Sequence, residues 1–478
     1  MNLTLLTDYY ELSMMQGYFL HAENPPVVFD MFYRRQPFGG GFSLFAGLSN
    51  VLELISSLSF GPEDIAYLSS LGTFRKEFLD YLAGFSFHGD IWSMEEGTIA
   101  FPGEPLVRVH APLIEAQLVE SALLAILNFQ TLVATKAARI RLAANGGSII
   151  EFGLRRAQGT DGAISASRAA FIGGAVATSN TLAGRLFGIP VSGTMAHSWV
   201  MAFDSEREAF EKYAETYPDG AIFLIDTYDT LGSGIENAID VSLRLKHSGH
   251  TGYGVRLDSG DLEYLSKKVR VRLDEAGLRE ARIVASNELD EYIIHQLITS
   301  GAPIDSWGVG THLVTANGDP SLSGVYKLAA RRGHGGWVPT IKVSNNPDKV
   351  TNPGVKQVWR FTNAAGSPLA DLISLDDEKL EPGRPYTFHH PTGDYRSFTL
   401  EDYAGMTPLL ALCMKEGRRV GAVPDMKSIQ DRARGQLDLL DDTYTRLINP
   451  HVYKVSLSDA LNDLKTRLIR DNLSRGAH

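Results

Sequence analysis

Ile189-Pro-Val-Ser-Gly-Thr-Met-Ala-His-Ser-Trp199 reads as a short buried strand, Ile189 to Val191, that breaks at Ser192-Gly193-Thr194. The break delivers His197 and Ser198 into a loop ahead of a further helix. Small residues at such a break let backbone approach a ligand closely. A strand that ends in Gly-Thr and hands a histidine to the following loop is how α/β barrels place chemistry at their C-terminal face. A single histidine in a loop is more often a satisfied structural donor. The reading gains weight because neighbouring strand ends carry comparable polar groups.

Outward from this stretch, strand-like and helix-like runs alternate at intervals of about 25–35 residues from Ser148 onward, as βα units do. Ser148–Phe152 is followed by Gly153-Leu154-Arg155-Arg156, and Ala175–Thr178 by Ser179-Asn180. Ala221–Ile225 ends in Asp226-Thr227-Tyr228-Asp229, and Tyr253–Leu257 in Asp258-Ser259-Gly260-Asp261. Arg282–Ala285 ends in Ser286-Asn287-Glu288, and Trp307–Val309 lies in Ser306-Trp-Gly-Val-Gly-Thr311. Val325–Leu328 is a candidate to close the sheet. Seven or eight such units make the expected fold class α/β, an irregular (β/α) barrel over 146–330. An open doubly wound sheet shares the alternation and is the alternative.

Residues 1–145 read as an N-terminal α+β domain. Thr7-Asp8 can cap a helix over Tyr9–Leu20, Val27–Arg34 alternates as a strand, and Ile114–Arg141 is a long apolar helical stretch. Lys136, Arg139 and Arg141 near its end either complement the helix dipole or touch a ligand. Residues 331–478 read as a C-terminal β-rich insertion and mixed, helical extension. The Gly- and Pro-rich 333–362 stretch carries Lys342, Lys349 and Lys356, which could cover the site or touch phosphate.

The 478 residues carry a formal net charge of -11, with 44% hydrophobic and 21% charged residues. That composition suits an ordinary globular enzyme and argues against a nucleic-acid partner, without excluding a local basic pocket. Cys413 is the single cysteine, so no intrachain disulfide or cysteine-rich metal site can form. The N-terminus lacks a basic segment and sustained apolar run, and no stretch approaches the roughly 20 apolar residues that span a bilayer. A cytoplasmic enzyme without membrane attachment is the expectation.

The strand ends together suggest one chemistry. Arg155 and Arg156 could hold an anion, although successive loop residues rarely both face a ligand, and Arg156 could instead pair with an acid. Asp226, Asp229, Asp258 and Asp261 offer hard oxygens for Mg²⁺ or acceptors for sugar hydroxyls, while Asp229 and Asp261 also read as helix caps. Gly308-Val309-Gly310-Thr311 is a short phosphate-cradling candidate, without the lysine and spacing of a Walker loop. The sum is Mg²⁺, a phosphorylated sugar and an anionic partner.

Six blocks, in order, resemble the nicotinate phosphoribosyltransferases, type II phosphoribosyltransferases. They are Thr7-Asp-Tyr-Tyr-Glu-Leu-Ser-Met14, Glu151-Phe-Gly-Leu-Arg-Arg-Ala-Gln-Gly159, Gly193-Thr-Met-Ala-His-Ser198, Ile225-Asp-Thr-Tyr-Asp-Thr230, Val255-Arg-Leu-Asp-Ser-Gly-Asp261 and Gly308-Val-Gly-Thr311. The resemblance implies transfer from phosphoribosyl pyrophosphate to nicotinate, coupled to ATP hydrolysis, in NAD salvage. It implies that His197 is phosphorylated by ATP, that Asp226 and Asp258 act near the ribose and Mg²⁺, and that Arg256 holds the phosphoribosyl substrate. Gly308, Gly310 and Thr311 match the 5′-phosphate site, and Phe152 an aromatic that stacks on the pyridine. Tyr10 matches a residue reaching the other face from the partner of a homodimer with shared active sites. Thr194 falls in the histidine block and joins the substrate-binding candidates.

Nicotinamide-specific relatives place an aspartate where this chain has Ser179, in Ala177-Thr178-Ser179-Asn180. A carboxylate substrate is repelled by an acid but accepts from Ser179 and Arg155, so the resemblance and the charge argument agree on nicotinate. Nicotinamide phosphoribosyl transfer and a non-catalytic nucleotide-binding barrel are the alternatives.

Overall fold

The computed structural model describes residues 3–393 and 396–475. The chain divides into two compact units, 133–320 and a second made of 1–132 with 321–478. The terminal segments, expected as separate domains, therefore belong to one unit.

In the 133–320 unit six parallel strands stand in the order Ala177–Thr178, Ser148–Glu151, Ser306–Val309, Arg282–Ala285, Gly254–Leu257, Ile222–Leu224. Val191 adds a parallel bridge to Thr178. Strands neighbouring in sequence pair in space, and the first pairs with the last through Ile149 and Trp307. That cyclic order belongs to a barrel; a doubly wound sheet would reverse from the middle. One seam is open, because among the described residues no strand pairing joins Val191 to Ile222–Leu224. The strand expected at Ile189–Val191 is thus only that single bridge: Pro190 has no N–H to give a ladder, and Ser192 returns one bond to the Thr178 carbonyl.

The strands are nearly continuous apolar runs, as parallel strands buried on both faces require. Ile149, Val255, Leu257, Ile283, Ala285, Trp307 and Val309 are all buried. Helices Gly159–Ile172, Thr181–Phe187, Glu206–Thr216, Ile235–His247, Leu262–Glu275 and Glu291–Thr299 return the chain between strands. Asp229 and Asp261 act as caps, accepting from the Gly232 and Tyr264 amides at 3.0 Å each. The Lys136 ammonium pairs with Glu291 at 2.6 Å and Arg139 with the same carboxylate at 3.0 Å. These cations hold the barrel together rather than a ligand.

Among the described residues the other unit carries two larger sheets beside the two-stranded pair of Ser43–Leu44 with Ile99–Ala100. One runs Gly336–Pro339, Gly324–Gly333, Pro26–Tyr33, Val107–Pro112, Asp90–Ser93, Ala411–Lys415, Arg418–Arg419. Val325–Leu328, the expected closing strand of the barrel, instead pairs antiparallel with Phe29–Phe32 in this sheet. The other sheet spans strands between Lys356 and Leu457. Lys356 is buried against Asp30 at 2.7 Å, which removes it from the candidate phosphate ligands. Helix Tyr9–Leu20 begins after Asp8, whose side chain makes no cap bond but accepts from Ser121 at 2.7 Å. The apolar stretch from Ile114 is two helices, Leu113–Leu118 and Glu120–Ala143. The second is long and apolar enough to cross a membrane, yet 67% of its apolar window is buried in the protein, as in a core helix.

Candidate active site

At the C-terminal ends of the parallel strands lies a cavity of about 420 Å³, to which every strand position contributes. The turn after Ser148–Glu151 gives Phe152, Leu154, Arg155 and Arg156; the loop after Ala177–Thr178 gives Ser179. Gly193–His197 follow the Val191 bridge, and Leu224 ends its own strand. Arg256 and Asp258, then Ser286–Glu288, then Gly308, Gly310 and Thr311 complete the lining. The alternation of strands places Arg256 and Asp258 two residues apart on the same side of the chain.

Arg256 is the hub. Its Nε donates to Ser286 Oγ at 2.7 Å, one Nη to Thr194 Oγ1 at 2.8 Å and to the Met195 carbonyl at 3.3 Å, the other to Asp258 Oδ1 at 2.9 Å. Its guanidinium also lies 5.7 Å from the Phe152 ring centre. Four anchors fix the plane of the guanidinium and leave one of its five N–H groups, with the positive charge, for phosphate or a sugar diphosphate. Burial pushes the Asp258 carboxyl up, but the Ser286 hydroxyl, Arg256 and His197 outweigh it and hold the group below the usual carboxylate range. Asp258 is therefore an anion at neutral pH.

His197 opens a short helix, with Nδ1 3.1 Å from Thr227 Oγ1 and Nε2 3.8 Å from Asp258 Oδ2. Its side chain is 41% exposed, so a reagent in the cavity can reach it. Asp226 stands behind the lining. Its Oδ2 accepts from the Asp258 amide at 2.8 Å and Ser259 Oγ at 2.6 Å, while its buried Oδ1 has no hydrogen-bond partner among the described residues. An orphaned carboxylate oxygen on a residue that bonds the Asp258 backbone suits a hard cation. Among the described residues no three metal-ligating side chains cluster. That donor set fits Mg²⁺, which uses one or two carboxylates and completes its shell with water and substrate phosphate.

Arg155 and Arg156 sit on a 3-10 turn, Leu154–Arg156, and both line the cavity. The expected acid partner for Arg156 is absent among the described residues, because the tight turn projects both side chains toward the cavity. Phe152 lies close against Gly308, where an added Cβ would lie 2.5 Å from the ring. Gly193 is different: a Cβ there would meet nothing within 4 Å, leaving open space at the lining. Thr311 Oγ1 donates to Glu288 Oε1 at 3.3 Å at the start of the four-residue helix Thr311–Val314.

The structure thus brings together Phe152, Arg155, Ser179, Thr194, His197, Arg256, Asp258, Gly308, Gly310 and Thr311, with Asp226 one hydrogen bond behind. Tyr10 belongs to the other unit, half exposed on helix Tyr9–Leu20. Ser286, Asn287 and Glu288 are not among the residues that the sequence singles out for the site. Their position straight after a strand is the available signal. Asn287 has a φ of 115°, a left-handed conformation that a non-glycine residue keeps only when its surroundings impose it.

Three family models match consecutive segments: the nicotinate phosphoribosyltransferase N-terminal domain over 5–128, the nicotinate phosphoribosyltransferase family over 148–342 and the C-terminal domain over 355–465. The nicotinate phosphoribosyltransferase of Bacillus subtilis is 44% identical over 481 residues, covering 99% of this chain and 96% of that protein. The Homo sapiens protein of the same name is 34% identical over 522 residues, covering 97% and 96%. The crystal structure of human nicotinic acid phosphoribosyltransferase superimposes with a TM-score of 0.85 at 32% identity, over 97% of this chain and 99% of that one. A nicotinate-nucleotide pyrophosphorylase from Pyrococcus furiosus shares the fold, with a TM-score of 0.70 at 22% identity, over 91% and 95%.

Proposed function

The chain belongs to the nicotinate phosphoribosyltransferase family, and we propose from that premise that it makes nicotinate mononucleotide and pyrophosphate from nicotinate and phosphoribosyl pyrophosphate. The observation that carries this reading is the convergence in one cavity of Arg256, Asp258 and His197 with Arg155 and Arg156, two guanidiniums that have no ion-pair partner among the described residues. The pyridine nitrogen forms a bond to C1′ of the ribose as the C1′–oxygen bond to pyrophosphate breaks. Positive charge develops on the ring oxygen and C1′ in between, so an anion nearby lowers the barrier more than a strong base would.

Asp258, held ionised, supplies that anion. Arg256 holds the phosphoribosyl substrate in place, and Gly308, Gly310 and Thr311 receive the 5′-phosphate through backbone and hydroxyl donors. Arg155 and Ser179 take the nicotinate carboxylate while Phe152 covers one face of the pyridine. Tyr10 of a partner subunit covers the other face, making the active unit a homodimer. Asp226 and Asp258 would hold Mg²⁺, which when bound supplies charge neutralisation for the leaving pyrophosphate.

ATP is a co-substrate. Its γ-phosphoryl passes to the His197 imidazole with release of ADP, and water later removes it as phosphate. The overall balance is one nicotinate, one phosphoribosyl pyrophosphate, one ATP and one water converted to one nicotinate mononucleotide, one pyrophosphate, one ADP and one phosphate. The enzyme works in the cytoplasm, in NAD salvage. The test is a product assay with nicotinate, phosphoribosyl pyrophosphate and Mg²⁺, with and without ATP, on the wild type and on His197→Ala. The variant should keep the transfer and lose only the stimulation by ATP. No nicotinate mononucleotide from the wild type would refute the activity, and no ATP effect on the wild type would refute the role of His197.

A further inference from the structure

Glu151 ends the first barrel strand and is fully buried, yet no cation bonds to its carboxylate among the described residues. Only uncharged donors satisfy it. One oxygen accepts from the Gly153 amide; the other accepts from Ser167 Oγ at 2.9 Å and Thr178 Oγ1 at 2.5 Å. Its own carbonyl accepts from the Ser179 amide at 2.8 Å. Thr178 Oγ1, while donating to Glu151, accepts from the Asn180 amide at 3.0 Å. Asn180 in turn donates to Ser167 Oγ at 3.2 Å and caps helix Thr181–Phe187 by accepting from Ala183 at 3.2 Å.

Phe152 and Gly153 form the turn on one side of this carboxylate. Thr178, Ser179 and Asn180 form the loop on the other. Both loops line the cavity, one through Phe152 and the other through Ser179, the residue proposed above to take the nicotinate carboxylate. We propose that Glu151 is a specificity-determining positioning residue: its single buried carboxylate ties the Phe152–Gly153 turn to the Thr178–Asn180 loop and so fixes the slot that receives the pyridine and its carboxylate.

A buried carboxyl group is costly and persists only where its polar atoms find partners. A neutral side chain of the same shape would serve packing as well. What the carboxylate adds is acceptor capacity at both oxygens at once, so an N–H on one side and hydroxyls on the other are pinned in a fixed relation. Glu151 itself does not line the cavity, so its loss acts through the two loops and should fall on base binding.

This inference rests on the nicotinate reading, and the wild type separates the two. If the wild type makes no nicotinate mononucleotide, that reading fails; the ratio of variant to wild type judges Glu151. In Glu151→Met both acceptor oxygens are lost at nearly the same side-chain length, so the Gly153 N–H and the two hydroxyls lose their common partner. The expected result is a KM for nicotinate raised about tenfold, a kcat and a KM for phosphoribosyl pyrophosphate within about threefold of wild type, and weaker discrimination against nicotinamide. Thr178→Val removes one hydroxyl without changing shape, and should give the same pattern at about threefold; it serves alone if Glu151→Met does not fold. A lowered Tm with all three kinetic constants unchanged, or a uniform fall in activity with nicotinate KM unmoved, would overturn the proposal.

Discussion

Replacing Gly308 by alanine tests the base-binding geometry most directly. The added Cβ would lie 2.5 and 2.6 Å from Cδ2 and Cε2 of Phe152 and 3.3 Å from Cβ of Ser286. Carbon atoms pack at about 3.5–4.0 Å, so the ring must retreat by about 1 Å. Overpacking of this kind costs about 1–3 kcal/mol in a closed core. Phe152 is half-buried at a cavity wall, so its ring can relieve the clash by moving into the space that the pyridine takes. The cost then appears when the base binds. At about 1.4 kcal/mol per tenfold, the KM for nicotinate rises between about fivefold and about a hundredfold, with little loss of Tm. Steady-state kinetics with each substrate varied, beside a thermal melt, read both quantities. Gly193→Ala is the companion, because its Cβ meets no protein atom within 4 Å. It should leave Tm unchanged, and any rise in KM reports a ligand at that wall. An unchanged nicotinate KM with a lowered Tm in Gly308→Ala would show that the ring yields elsewhere and would refute the stacking role.

Ser179→Asp places a carboxylate where the nicotinate carboxylate is expected, so nicotinate KM should rise by about tenfold or more while nicotinamide turnover improves; unchanged discrimination in competition assays would count against this contact. Asp226→Asn removes charge from the unpaired Oδ1 site, so the Mg²⁺ concentration for half-maximal rate should rise several-fold, which a metal titration at saturating substrates checks. In the other unit, burial pushes the Glu11 carboxyl from 4.5 up to about 7, against the hydroxyls of Thr7 and Ser121 and with help from Glu120 and Asp8. A pKa raised on folding stabilises fully below the unfolded value and is lost as pH rises through the folded one. Melting temperature should therefore fall between about pH 5 and pH 8, and Glu11→Gln should flatten that part of the profile.

Much of the site is legible because barrel chemistry sits where strands end, and strand ends are local features of sequence. Arg256 and Asp258 share a strand-end block, and Gly308, Gly310 and Thr311 another, so spacing alone groups them. The partners are less visible. Thr194 and Ser286 anchor Arg256 from 62 and 30 residues away, and nothing in a Thr or Ser announces such a contact. Sequence leaves Arg156 open between an anion and an acid partner, because a 3-10 turn cannot be told from an ordinary loop there. Lys356 reads as a loop lysine until Asp30 is seen beside it.

By itself the sequence determined the chemistry on offer and the alternation that makes an α/β barrel, because hydrophobic period and strand-end residues are written over a few neighbouring positions. Tertiary structure alone decided which distant segments pair. Phe29–Phe32 and Val325–Leu328 lie about 300 residues apart and share a sheet, whereas sequence order assigned the second to the barrel. Closing a loop costs only about 0.6 kcal/mol more for each doubling of its length. Distance along the chain is therefore a weak guide to pairing, and the match of apolar faces and backbone hydrogen bonds in three dimensions makes the choice.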